Sequence, residues 1–282
     1  MARKKDLLSG NGAPNGAPPK GTLVMIGGSE DRSGKMRILA EVARRIPSGK
    51  LCIATVASTL GAELWEEYRE AFKKLGVKTI SHLDMVQRHG TGDAADLKAI
   101  RGAAGVFFSG GDQLRITNEI GGTEIADEIY RIYAQGGVIA GTSAGASVMG
   151  ETMMVAGRPG SFRIGGDLRM APGLGFIQNV IIDQHFAERG RITRLLAAVA
   201  HHPKFLGIGI DENTAVILEK GQSFQAIGQG AVYVLDAHDS SDCNLSEENV
   251  EGALSIFNVQ FHVLSDGDRF DLKTRTPSKK RS

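Results

Sequence analysis

A serine hydroxyl that is to attack a carbonyl needs a turn that exposes it, a base within hydrogen-bond reach and an anion that orients the base. The chain has candidates for all three. Gly141-Thr142-Ser143-Ala144-Gly145 carries the G-x-S-x-G spacing of a nucleophile elbow, where glycines let a strand bend sharply into a helix. The spacing is weak on its own. Its weight comes from the Val138-Ile139-Ala140 run before it, which supplies the strand an elbow requires.

Of the seven histidines, His185 alone closes a strand-like run, Ile181-Ile182-Asp183-Gln184-His185, apolar and then abruptly polar. Such a run delivers His185 to the same strand-end edge as Ser143, although a satisfied edge histidine is the plainer alternative. Gly207-Ile208-Gly209-Ile210-Asp211-Glu212 repeats the design with consecutive carboxylates. Asp211 or Glu212 can orient an imidazole, and a solvated turn before the next strand accounts for them as well.

Negative charge developing on a tetrahedral intermediate needs preorganised backbone donors, and Gly110-Gly111 allows a close approach. Gly111 together with the amide of Ala144 is the expected oxyanion pair. Arg189, Arg191 and Arg194 follow His185 within nine positions, and their guanidinium groups can fork onto carboxylates of an acidic substrate. A solvated helix face is the alternative for that cluster.

These residues need a scaffold that brings strand ends together. From Thr22 onward, short runs rich in Val and Ile alternate with amphipathic stretches, the pattern of a three-layer α/β fold with a mostly parallel sheet and helices on both faces. Residues 23–26, 51–56, 105–108 and 138–140 read as strands; 35–46, 62–75, 125–134 and 192–200 read as helices, with Trp65, Tyr68, Phe72 and Leu75 on one apolar face. In such a sheet the ligand crevice lies outside the carboxyl ends of the strands, so residues 27–30, 110–113 and 142–145 are expected to converge. Further strands follow residue 206. No linker divides the core, which predicts one domain over 22–272 between a tail at 1–21 and a basic tail at 273–282 that does not pack.

Composition excludes other classes. The chain has 282 residues, 41% hydrophobic and 23% charged, which rules out disorder, collagen and coiled coil. With 33 Lys plus Arg against 32 Asp plus Glu, no global field draws it to nucleic acid or an anionic membrane, and neither is expected as a partner. No run approaches the roughly 18 apolar residues of a membrane span. Cys52 and Cys243 have no metal-ligand spacing and are too few for a disulfide framework, which suits a reducing cytoplasm and a chemistry without metal or cofactor.

Taken together, Gly27-Gly28-Ser29-Glu30, Gly110-Gly111-Asp112-Gln113, Gly141 to Ala146, Asp183-Gln184-His185-Phe186, Arg189-Gly190-Arg191 with Arg194, and Gly207 to Asn213 resemble the cyanophycinases over most of the chain. That family belongs with aspartyl dipeptidases to a group of serine peptidases whose fold is similar to class I glutamine amidotransferases. The resemblance implies a Ser143, His185 and Glu212 triad, with Gln113, Asp183, Gln184, Arg189, Arg191 and Arg194 lining a pocket beside Ser143. It implies a homodimer that cuts cyanophycin, a poly-aspartate backbone with arginine on each side-chain carboxyl, into β-Asp-Arg dipeptides. The arginines suit the carboxylates of that polymer, and Asp183 and Glu30 suit its guanidinium groups. An aspartyl dipeptidase of the same family and a catalytically silent binder of acidic polymer are the alternatives. A glutamine amidotransferase would carry cysteine where this chain has Ser143.

Overall fold

The structure, a computed structural model, describes residues 21–85, 94–157, 168–245 and 252–280. The tail expected over 1–21 therefore lies outside the described residues apart from Gly21.

Two-sided burial organises the first half of the chain. In β1 (Thr22–Ile26), Leu23 and Met25 face one apolar core while Val24 and Ile26 face another, as befits a strand covered on both sides. The chain continues through α1 (Arg37–Arg44), β2 (Lys50–Ala54), α2 (Gly61–Lys74), β3 (Thr79–Leu83), α3 (Ala94–Ile100) and β4 (Ala103–Phe108). Then come α4 (Gln113–Ile120), α5 (Glu124–Ala134), β5 (Val138–Thr142) and the short α6 (Ala144–Ser147). Leu39, Val42, Tyr68 and Phe72 of α1 and α2 cover one face, and Ile116, Ile120, Ile125 and Ile129 of α4 and α5 cover the other. The carboxylate of Asp112 accepts the amide of Leu114 at 2.9 Å and so starts α4 directly after the glycines at the end of β4.

The second half adds β6 (Thr152–Ala156), β7 (Arg169–Pro172), β8 (Val180–Gln184), α7 (Ile192–His201), β9 (Leu206–Ile210), β10 (Thr214–Glu219), β11 (Ser223–Gly228) and β12 (Val232–Asp236). It closes with β13 (Gln260–Leu264), β14 (Arg269–Asp271) and β15 (Thr276–Ser278). The main sheet runs β15-β14-β11-β10-β1-β5-β4-β2-β3. From β1 to β3 its neighbours are parallel, and from β1 outward through β10 they are antiparallel. Strands β6 and β7 pair with each other.

A second sheet, β13-β12-β9-β8, packs Ile182, Ile208, Ile210 and Val232 into the core beneath Met25 and Ile139, and α7 covers its outer side through Leu195, Ala198 and Val199. This corrects the expectation that the strands leading to His185 and Glu212 end on the same sheet as Ser143. They belong to the second sheet, and the segment Asp211–Asn213 carries the chain from it into β10 of the first.

The C-terminal segment is a second correction. Residues 276–278, expected in a basic tail that does not pack, pair with β14 as an edge strand. Arg275 reaches Asp236 at 2.5 Å and the Lys204 carbonyl at 2.8 Å. Its charge is spent on a buried carboxylate, which the count of basic residues alone conceals. No helix among the described residues is long and apolar enough to cross a membrane.

Candidate active site

Strand order brings three loops to one place. β5 lies between β1 and β4, so Ser143 emerges beside Gly27–Glu30 on one side and Ser109–Gly111 on the other, the convergence expected of strand carboxyl ends. Ser143 turns β5 into α6 with φ 52 and ψ −112. The turn is tight: a Cβ on Gly141 would lie 2.4 Å from the Gly145 carbonyl oxygen.

His185 arrives from β8 and Glu212 from the end of β9. His185 Nε2 is 3.0 Å from Ser143 Oγ, and His185 Nδ1 is 2.6 Å from Glu212 Oε1. Hydroxyl, imidazole and carboxylate thus form a continuous hydrogen-bonded line. The hydrogen bond from His185 holds the Glu212 carboxyl below its ordinary range against partial desolvation, with help from Ser29 and the charges of His185 and Arg189. His185 is 8% exposed.

The first loop clamps the two sheets together. The Gly27 carbonyl accepts the His185 amide at 2.8 Å and the Gly28 carbonyl accepts the Asn213 amide at 2.8 Å. Ser29, Ser143, His185 and Asn213 all have φ between 46 and 52, so four non-glycine residues of left-handed backbone meet at one point. Such conformations persist where surrounding contacts over-determine them, and they gather at functional sites.

Of the two neighbouring carboxylates, the fold separates the roles. Asp211 accepts the amides of Ala187 and Ala231 at 2.9 and 3.0 Å and the Tyr233 hydroxyl at 3.3 Å, tying down the segment after His185. Glu212 takes the imidazole.

A cavity of about 290 Å³ opens at Ser143 and His185, and Gly28, Gly110, Gly111, Glu30 and Tyr68 are among its lining residues. Ala144, the other expected oxyanion donor, directly follows the serine and is buried. Gln113, Asp183, Gln184, Arg189, Arg191 and Arg194, expected to line a pocket beside Ser143, are not among the lining residues of this cavity. Asp183, 1% exposed, pairs with Arg191 at 3.2 Å and with both Nε (2.7 Å) and Nη2 of Arg194. Arg191 also donates to the carbonyl and side chain of Gln184. Gln113 donates to the Met154 carbonyl at 2.8 Å, and Arg189 is exposed.

The physical reason is neutralisation. Two guanidinium groups and a carboxylate withdrawn from water must satisfy one another, so Asp183, Arg191 and Arg194 are committed inside the fold. Burial still lowers the Arg191 guanidinium to about 10 against the pull of Asp183.

Sequence reasoning missed Tyr68 and Arg32 as neighbours of the site. Tyr68 sits on the apolar face of α2, as its spacing requires, yet its hydroxyl reaches Glu30 at 2.5 Å. Only the phenol at the end of an otherwise apolar stripe signalled this. Among the described residues, no group of three or more His, Cys, Asp or Glu is arranged to hold a metal ion.

Residues 23–226 match peptidase family S51. The chain belongs to that family. Within it, the chain is 37% identical to the cyanophycinase of Trichormus variabilis over 91% of its own length and 87% of that protein. It is 33% identical to the cyanophycinase of Synechococcus elongatus over 90% and 80%, and 34% identical to that of Geminocystis herdmanii over 92% and 96%. Among solved structures, a peptidase from an acI-B1 Actinobacterium superposes with a TM-score of 0.68 at 20% identity, covering 90% of this chain and 98% of that one. A putative peptidase E from Listeria monocytogenes gives 0.55 at 16% identity over 74% and 99%. These two likenesses carry the α/β peptidase fold; the S51 family assignment rests on sequence.

Proposed function

We propose that this S51 peptidase is a cyanophycinase, a serine exopeptidase that hydrolyses multi-L-arginyl-poly-L-aspartate to β-Asp-Arg dipeptides. The observation that carries the reading is the unbroken line Ser143 Oγ, His185 imidazole, Glu212 carboxylate at 3.0 and 2.6 Å, in a chain whose relatives at 33–37% identity bear the name cyanophycinase. In this reading the strained turn at Ser143 is a nucleophile elbow and the core has the topology of class I glutamine amidotransferases, with one hydrolase domain spanning residues 22–272. It works in the cytoplasm as a homodimer. The free thiols of Cys52 and Cys243 suit a reducing compartment.

Ser143 Oγ attacks the backbone carbonyl of an aspartyl unit while His185 Nε2 takes the hydroxyl proton. The carbonyl oxygen becomes an oxyanion facing the amides of Gly111 and Ala144. Collapse breaks the C–N bond, His185 returns the proton to the departing amine, and the acyl group stays on Ser143. Water, deprotonated by His185, then attacks the ester, and the second tetrahedral intermediate expels Ser143, which regains its proton. Glu212 fixes the imidazole tautomer with the proton on Nδ1 and balances the imidazolium charge. Gln113 and the exposed Arg189 orient the polymer, whereas Asp183, Gln184, Arg191 and Arg194 hold the end of β8 and so the position of His185.

Suspended cyanophycin and α-linked Asp-X dipeptides offered side by side test the assignment. The reading expects clearing of the suspension with release of β-Asp-Arg, identified by mass spectrometry. Cleavage of the dipeptides with the polymer left turbid makes the chain an aspartyl dipeptidase instead.

A further inference from the structure

Two charged groups that line the cavity, Glu30 and Arg32, are left over by this chemistry. Glu30 is 4% exposed, follows β1 by four residues and lines the cavity together with Ser143. Its two carboxylate oxygens accept the Tyr68 hydroxyl and the Thr142 hydroxyl, each at 2.5 Å. Both donors are neutral. Among the described residues no Lys, Arg or His pairs with Glu30, and the charge of Arg32 is directed elsewhere. Arg32 pairs with Glu67 at 2.5 Å while its guanidinium carbon lies 5.2 Å from the centroid of the Tyr68 ring.

An anion withdrawn from water is costly unless a cation or several strong donors meet it. A carboxylate has about four acceptor sites, and each Glu30 oxygen has spent one on a hydroxyl. The remaining lone pairs of two oxygens held in one plane match the paired N–H groups of a guanidinium, the geometry of a fork-to-fork contact. Position adds to the match. Thr142, which holds one of the oxygens, is bonded to Ser143, so a cation seated on Glu30 is fixed within one residue of the attacking hydroxyl. Asp183, the other acidic group expected to meet guanidinium, is already neutralised by Arg191 and Arg194.

We infer that Glu30 seats the guanidinium of the substrate unit at the scissile bond and gives the site its preference for an arginine branch over a neutral branch of the same shape. The inference rests on the serine-peptidase reading and adds to it the residue that recognises the basic branch. Tyr68 and Thr142 act as positioning residues that hold the carboxylate flat against the cavity wall. Burial and the neighbouring Glu30 push the Tyr68 phenol well above its ordinary range, so it remains a donor.

The test pairs arginine with citrulline, which replaces the guanidinium by a neutral urea of nearly equal size. Ser143 is labelled with a fluorophosphonate in the presence of free L-arginine or L-citrulline, and kcat and KM are measured on β-aspartyl substrates branched with either residue. Wild type is expected to favour arginine by about 10- to 100-fold in both assays, carried mainly by KM. In Glu30→Gln, which keeps a side chain of the same shape, that preference is expected to fall toward one. Should Glu30→Gln fold poorly, Glu30→Asp retains the charge and is expected to keep a weakened preference. Equal protection by arginine and citrulline in wild type, or an undiminished preference in Glu30→Gln, overturns the inference. The two readings fail separately. Arginine-selective protection in a protein that leaves cyanophycin intact refutes the cyanophycinase reading and keeps the seat, whereas polymer cleavage with no arginine preference does the reverse.

Discussion

Gly28 and His185 are in contact so close that a methyl group added to Gly28 would lie 2.3 Å from His185 Cε1 and 2.5 Å from Nε2. The first sheet thereby supports the imidazole with bare backbone. The same residue has φ 108, a region that side chains rarely adopt. The clamp of β1 onto the second sheet and the placement of the imidazole are one piece of structure.

Gly28→Ala is accordingly expected to displace the ring of His185 from Ser143. A shift of 1 Å in a reacting group costs about 100-fold in rate, so kcat/KM on cyanophycin should fall by about that factor or more. Steady-state kinetics beside a thermal melt checks this. Unchanged kinetics would mean the imidazole has room that the contact distances deny.

Glu212→Gln keeps the shape of the side chain but removes the anion that orients His185. The expected loss is about 100- to 10,000-fold in kcat with little change in KM. The same pair reports on stability. The folded pKa of Glu212 is depressed below its ordinary 4.5, so its ionised form stabilises the native state above that value, and the contribution disappears as pH falls through the lower folded pKa. Urea unfolding of wild type and Glu212→Gln should differ at neutral pH and converge in acid. A difference that widens on acidification would contradict the sign.

The sheet ends around Ser143 were legible because each relevant strand is a short apolar run stopped by glycine: Ile26 before Gly27, Phe108 before Ser109-Gly110, Ala140 before Gly141. The second sheet was not. β8, α7 and β9 read as one more strand-helix-strand unit, and nothing local to Val180–Gln184 states which sheet it joins. That choice is made by distant partners, the pairing of β9 with β12 and the carbonyls of Gly27 and Gly28. Spacing could not separate Asp211 from Glu212 either, since backbone amides 24 and 20 residues away claim the first. The pairing of Arg191 and Arg194 was hidden for the same reason: their partner, Asp183, lies on the preceding strand and is buried.

Asp183→Asn tests that last point. It leaves the guanidinium groups of Arg191 and Arg194 without the carboxylate they share, and breaking a buried pair in this way costs about 3–5 kcal/mol. Denaturant unfolding should show that loss, whereas Arg189→Ala, at an exposed position, should leave stability nearly unchanged. If Asp183→Asn unfolds like wild type and loses only substrate binding, the acidic group faces substrate and the pairing assigned to it is wrong.

The most direct measurement compares wild type with Ser143→Ala on a turbid suspension of cyanophycin, following clearing and the identity of the soluble products. The account predicts that wild type clears the suspension and releases β-Asp-Arg while Ser143→Ala, folded to the same melting temperature, leaves it turbid. Equal clearing by the two proteins would contradict the assignment of Ser143 as the nucleophile, and with it the role given to His185 and Glu212.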